Sequence, residues 1–405
     1  MSKILCAITS LCALTAVASA QQVVFQQRGA GQVRDVTACG PSGLACTAAK
    51  PAGFEVYSCA AAAPPIRQQN VGVGFDGQKL SCVGETCAVA MIGAAPYEPG
   101  VSGGAAVLDI IWGGAVMYDG QVPGDFRAIA VGPNEANIYG ALLIAGSPAQ
   151  LAFSVFGRGG GFIFQQMLGP SSTVTADLVI CGGTSGTAVG SRVYLTNGAT
   201  TNPVGPARLR VFDGASPFAE LANVILSFDP LAVTCATGTD FWISDATKST
   251  LYSGATLAPI MVGGGPRTLP VVATRGSLSQ RGDQLIGVNV ASSGRVTAAV
   301  VSSSVALLPW SKSSNSGADW AMPCIAAVGN QSGASTDQGL FRVEECASTP
   351  IATTPPAVAT PTATRTHTRT ATTGAASTAT ATFTRTPTVG DCWECISGCE
   401  TVCNP

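Results

Sequence analysis

The chain has 405 residues, 46% hydrophobic, 6% aromatic and only 11% charged, with a formal net charge of −2. So little charge, so evenly balanced, offers no basic surface to a phosphate backbone or an anionic membrane, which argues against nucleic-acid binding and electrostatic membrane association. The one histidine, His367, lies in a low-complexity tract near the end, so the chain lacks the imidazole that serine and cysteine hydrolases use as a base and that catalytic zinc nearly always takes as a ligand.

Residues 1–20 place Lys3 ahead of an apolar run from Ile4 to Val17 and end in Ala18-Ser19-Ala20. A basic start, a short apolar core and a small-x-small end are the features of a secretory signal, so cleavage before Gln21 is expected. The run is too short to span a bilayer, and no second hydrophobic segment follows it, so no integral membrane span is expected. Neither Cys6 nor Cys12 follows the small residues that a lipoprotein signal requires. Fifteen cysteines less these two leave thirteen for the mature chain. Export through an oxidising compartment makes most of them disulfide partners, and the odd number leaves one over.

The body, residues 21–348, shows no sustained 3.6-residue periodicity. Short apolar runs such as Arg208 to Phe212 and Phe241 to Ser244 lie between Gly, Pro, Asn and Asp turns and predict strands throughout. A paired-strand pattern recurs. It starts at Val36 and Phe54, Cys87 and Ala106, Ala128 and Gly140, Leu178 and Ser191, Ala232 and Phe241, Val271 and Gln284, and Ile325 and Gly339. These seven copies, about forty to fifty residues apart, have the period of β-propeller blades. An aromatic strand end before a tight turn falls between copies, as in Phe75-Asp76-Gly77, Tyr118-Asp119-Gly120, Phe212-Asp213-Gly214 and Tyr252-Ser253-Gly254. Asp-Gly after a strand predicts a turn whose glycine takes positive φ, with the aromatic packed between blades.

The segment Asp177-Leu-Val-Ile-Cys-Gly-Gly with Gly190-Ser-Arg-Val-Tyr-Leu-Thr-Asn-Gly198 resembles the FG-GAP repeat of integrin-α-type propellers. The segments Gly205-Pro-Ala-Arg-Leu-Arg-Val-Phe-Asp-Gly214 and Leu226-Ser-Phe-Asp-Pro230 are similar to bacterial forms of it. The resemblance spans most of Val36 to Val343 and implies an all-β propeller of about seven blades. A right-handed β-helix with shorter rungs and paired sandwiches are the alternatives. The family's acidic calcium loop, Asp-x-Asp-x-Asp-Gly, is absent, so no calcium ligand is assigned.

Carboxylates are the one catalytic inventory available, since a pair of them hydrolyses glycosides without histidine. Asp35, Asp76, Asp109, Asp119, Asp213, Asp229, Asp240 and Asp245 are scattered, mostly beside Gly, Pro or Ser, as turn formers capping local amides would be. No catalytic, cofactor-binding or metal-binding residue is assigned from them. The clusters Gly157 to Gly161 and Gly263 to Gly265 lack the strand, helix and Lys-Ser/Thr context of a phosphate cradle and predict tight blade turns. Cys82 and Cys87 flank Gly84 as in a hairpin disulfide. Cys324 and Cys346 flank the last copy. Cys39, Cys181 and Cys235 share one place in their copies, as buried thiols or as bridges between neighbouring blades.

Residues 349–390 change to Thr, Ala and Pro with no acidic residue, too little apolar bulk to order a chain. This is an extended stalk, either O-glycosylated or an unmodified linker, reaching on the order of 130 Å if fully extended. Residues 391–405 hold Cys392, Cys395, Cys399 and Cys403. Four such thiolates would suit zinc or an iron-sulfur cluster, but the export route points to two disulfides. The sequence thus predicts a secreted or surface-exposed, non-enzymatic binding propeller for a surface glycan or protein ligand, tethered through its stalk. A carbohydrate-active hydrolase or lyase on the same scaffold and a coat or filament subunit are the alternatives.

Overall fold

The structure is a computed structural model. It describes residues 24–344 apart from short internal segments, the longest being 94–102, and these all fall within one compact unit, Met1–Ala347. The expected signal (residues 1–20), stalk (349–390) and terminal cysteine module (391–405), with Cys324 and Cys346, lie outside the described residues.

Among the described residues every regular element is a strand. Seven antiparallel sheets follow one another along the chain, six of four strands and the sixth of five, with two small two-stranded hairpins besides. We number them blades 1 to 7. Their first strands are Asp35–Cys39, Phe75–Val83, Asp125–Val131, Ala176–Thr184, Ala232–Cys235, Leu278–Arg281 and Asn315–Met322. Each first strand neighbours the next, and the seventh neighbours the first, so they close a ring around one axis. This is the β-propeller arrangement, and it leaves no sheet able to bury both faces alone. The strands at Ala128 to Val131, Leu178 to Cys181 and Ala232 to Cys235 occupy equivalent inner places in three consecutive blades.

Closure joins the two ends of the body. Val24–Ala30 pairs antiparallel with Gly339–Glu344, with Phe25 opposite Val343 and Ala30 opposite Gly339, and so supplies the outer strand of blade 7. An N-terminal strand completing the last sheet ties the ring shut by backbone hydrogen bonds.

Burial peaks in the second strands and falls off at the outer ones. Phe241–Ser244 and Ile325–Asn330 are buried throughout, whereas the outer strand Glu220–Ile225 alternates between half-buried and exposed. The core is divided into interblade wedges. Phe153 of blade 3 stacks on Phe212 of blade 4 at 4.1 Å, and Tyr194 of blade 4 stacks on Phe241 of blade 5 at 4.1 Å. Ile286 and Val288 of blade 6 join Trp320 and Val328 of blade 7, and Val36 and Tyr57 of blade 1 meet Ala327 and Leu340 of blade 7. The tyrosines add polar ties: the Tyr194 hydroxyl donates to the Thr239 carbonyl of blade 5 at 2.7 Å, and that of Tyr139 to the Gly214 carbonyl of blade 4.

The copy count of seven is right, but the phase is not uniform. The copies starting at Ala128, Leu178 and Ala232 begin on inner strands. Those starting at Cys87 and Ile325 begin on second strands, and Val271 lies ahead of the inner strand Leu278–Arg281. Second strands in this fold are as apolar as first strands, so hydrophobicity alone slides by one strand.

The turn motif is also corrected in part. Phe212 and Tyr252 do precede turns, but Asp76-Gly77 lies within Phe75–Val83, where the pairing register shifts between Gly77 and Lys79 as at a β-bulge. Asp119-Gly120 lies within Val116–Val122, opposite Ala106 and Ala105. At the two genuine turns, glycine answers to space and not to positive φ. A Cβ on Gly214 would sit 2.0 Å from Ser191 Oγ, and one on Gly254 would sit 2.1 Å from the Thr239 carbonyl oxygen.

Candidate functional site

The inner strands surround a central cavity of about 160 Å³ lined by Asp35, Lys79, Asp177 and Asp319. Asp35 and Asp177 are buried, at 2% and 5% exposure. Each inner strand turns one edge toward the neighbouring blade, and these acids satisfy the amides left there. Asp35 accepts from its own Val36 amide at 3.0 Å and from the Leu80 amide of blade 2 at 2.9 Å. Asp177 accepts from the Val233 amide of blade 5 at 2.9 Å, and Asp319 from the Ala38 amide of blade 1 at 2.6 Å. Ser81 repeats the device with a hydroxyl, accepting from the Val131 amide of blade 3 at 3.0 Å. Four interfaces thus carry the same clip, in which a side chain on one inner strand accepts a backbone N–H from the next.

Burial dominates the electrostatics of Asp35. Burial pushes its carboxyl up to about 6, against the pull of Lys79 and the two amides, and the charge of Asp177 adds to the rise. Lys79 Nζ stands 3.9 Å from Asp35 Oδ1, a contact too long to offset the lost hydration.

Of the acids singled out in the sequence whose side chains are described, Asp35 is the one brought to the axis. Asp245 accepts from the Thr247 and Lys248 amides, Asp213 from the Ala215 amide, Asp229 from the Ala199 amide and Asp240 from the Gly254 amide. Asp245 and Asp213 are the expected caps of local amides, whereas Asp229 and Asp240 accept from amides remote in sequence. The side chains of Asp76, Asp109 and Asp119 lie outside the described residues. Asp177, Asp319 and Lys79 escaped the sequence reading. A signal for Asp177 existed, since Asp35 and Asp177 each stand one residue ahead of the start of a sequence copy, Val36 and Leu178.

The cysteines resolve two open alternatives. Cys82 and Cys87 lie opposite each other in blade 2 and form the hairpin disulfide. Cys181 and Cys235 form a disulfide between the inner strands of blades 4 and 5, the interblade bridge. At the matching corner, Cys39 Sγ lies 3.6 Å from Cys82 Sγ, and the sulfurs of Cys39, Cys82 and Cys87 fall within 4.8 Å of one another. All three are disulfide-bonded, so none offers the thiolate that a metal needs. The glycine clusters are turns as expected: the Gly157 amide donates to the Gly161 carbonyl at 2.7 Å, and Gly263 and Gly264 link the hairpin strands Met261–Val262 and Gly265–Pro266.

Among the described residues no helix is long and apolar enough to cross a membrane. No protein family and no curated protein matches the chain. Among solved structures it is similar to the β-propeller domain of Cps50 (Swd1) from Myceliophteria thermophila, with a TM-score of 0.56 at 10% identity, covering 80% of this chain and 100% of that one. At that identity the likeness extends to the fold alone.

Proposed function

We propose that this chain is an exported, non-enzymatic binding protein whose propeller presents a recognition surface for a surface glycan or protein ligand, with residues 349–405 tethering it. The observation that carries this reading is the use made of the axial carboxylates. Asp35, Asp177 and Asp319 hold neighbouring blades together by accepting backbone amides, where a glycosidase would leave two carboxyls open to a sugar between them. The central cavity, about 160 Å³, also lies below the roughly 300 Å³ at which small-molecule pockets begin. Propellers serve widely as rigid supports for binding faces, and the resemblance around Asp177 to Gly198 to integrin-α-type repeats supports an adhesive role.

The test is to probe glycan and protein arrays with the mature chain and to follow full-length and 349–405-deleted protein between cell surface and medium. Saturable binding to a defined ligand, with the deleted form released to the medium, is expected. No ligand on either array, or equal surface retention of both forms, would overturn the proposal.

A further inference from the structure

A second cavity, of about 340 Å³, opens between blades 3 and 4. It lies on the propeller face where the inner strands begin. Leu151 and Leu168 of blade 3 form one wall. The opposite wall is Asn197, Arg208 and Arg210 of blade 4, and Val204, in a small hairpin of Thr200–Thr201 with Val204–Gly205, stands at the rim. Its volume falls within the range of small-ligand pockets, unlike that of the axial cavity.

The polar atoms on the blade 4 wall are incompletely used. Asn197 is 8% exposed; its Nδ2 donates to the Gly198 carbonyl at 3.1 Å, which fixes the amide's orientation, and its Oδ1 is buried with no hydrogen-bond donor. Arg210, 9% exposed, is neutralised by Glu220 at 2.9 Å and donates to the Leu168 carbonyl at 2.8 Å, yet its Nε also has no acceptor. Arg208 is half-buried and donates to Asn223 Oδ1 at 2.8 Å, and among the described residues no carboxylate pairs with it. An unpartnered buried acceptor costs stability unless something donates to it. The cleft therefore lacks one hydroxyl or N–H donor for Asn197, one acceptor for Arg210 and one negative charge for Arg208.

We propose that this cleft binds a carboxylate-bearing saccharide, with a hydroxyl donating to Asn197 Oδ1 and the carboxylate paired with Arg208. The assignment rests on the binding role proposed above and deepens it. A uronic-acid ring meets all three requirements at once. Its hydroxyls both donate and accept, its carboxylate matches the guanidinium fork, and its C–H face suits the apolar wall of Leu151 and Leu168. A peptide ending in a free carboxylate would supply the charge but fewer hydroxyl-like donors.

The experiment is calorimetric titration of the full mature protein with trigalacturonate and with its methyl ester, which keeps the shape and removes the charge. The acid is expected to bind at least tenfold more tightly than the ester. Arg208→Gln should abolish that preference. Val204→Glu, at a rim position 89% exposed and outside the packed core, should weaken the acid selectively and leave the melting temperature unchanged. Equal affinity for acid and ester, binding of neither, a preference that survives both substitutions, or capture of a carboxylate-ended peptide in place of the saccharide would each overturn the assignment. An array ligand still held by the Arg208→Gln protein would overturn this site and leave the binding role standing, whereas arrays with no ligand would sink the binding role itself.

Discussion

Asp35 is the residue at which burial and charge compete most directly. Its carboxyl is pushed up to about 6 from 3.8, so the folded chain holds this proton more tightly than the unfolded chain. The resulting stabilisation is complete below about pH 4 and is lost as pH rises through about 6. Comparing urea denaturation of the mature chain with that of Asp35→Asn isolates this contribution. The wild-type advantage should shrink by up to about 3 kcal/mol between pH 4 and 7, and a pH-independent difference would show that Asp35 ionises normally in the fold. Gly254 tests the turn geometry. Its added Cβ meets a backbone carbonyl at 2.1 Å, whereas Gly265 has nothing within 4 Å. Gly254→Ala should cost about 1–3 kcal/mol and Gly265→Ala almost nothing in the same denaturant assay. The sequence marks Gly254 as a turn residue but cannot tell a φ requirement from a packing requirement, because the atom it would strike belongs to Thr239, in the turn between the strands Ala232–Cys235 and Phe241–Ser244.

At the scale of strands and blades, legibility depended on how local the cause was. The hairpin disulfide Cys82–Cys87 could be read from spacing, and the strand Phe241–Ser244 from its composition. The bridge Cys181–Cys235 stayed one of two alternatives, because a shared place in two copies does not show that the copies adjoin. Asp319 was missed for a related reason. The repeat pattern in the last copy starts on Ile325–Asn330, a second strand buried throughout, so the acid falls outside it. The interblade bridge makes a separate prediction. Replacing Cys181 and Cys235 together by serine closes off a cross-link with a sequence separation of 54 and should lower stability by about 2–4 kcal/mol. An unchanged denaturation midpoint in non-reducing buffer would mean that the ring does not depend on it.

For the whole molecule, a closed seven-blade ring was legible from period and count, whereas the way it closes was not. The strand Val24–Ala30 completes a sheet whose other members lie near residue 340, and nothing in its own pattern names that partner. Removing residues 21–30 should therefore lower the melting temperature well below that of a chain lacking 349–405, whose loss should leave the body's melting unchanged. The reverse order would assign the tail a structural role. Whether the propeller binds or cleaves its ligand is tested most directly by incubating the mature protein with a ligand recovered from the arrays and measuring that ligand's mass afterwards. A bound ligand should be returned chemically intact at every pH. Cleaved or eliminated products that accumulate with turnover and disappear in Asp35→Asn would contradict the binding role.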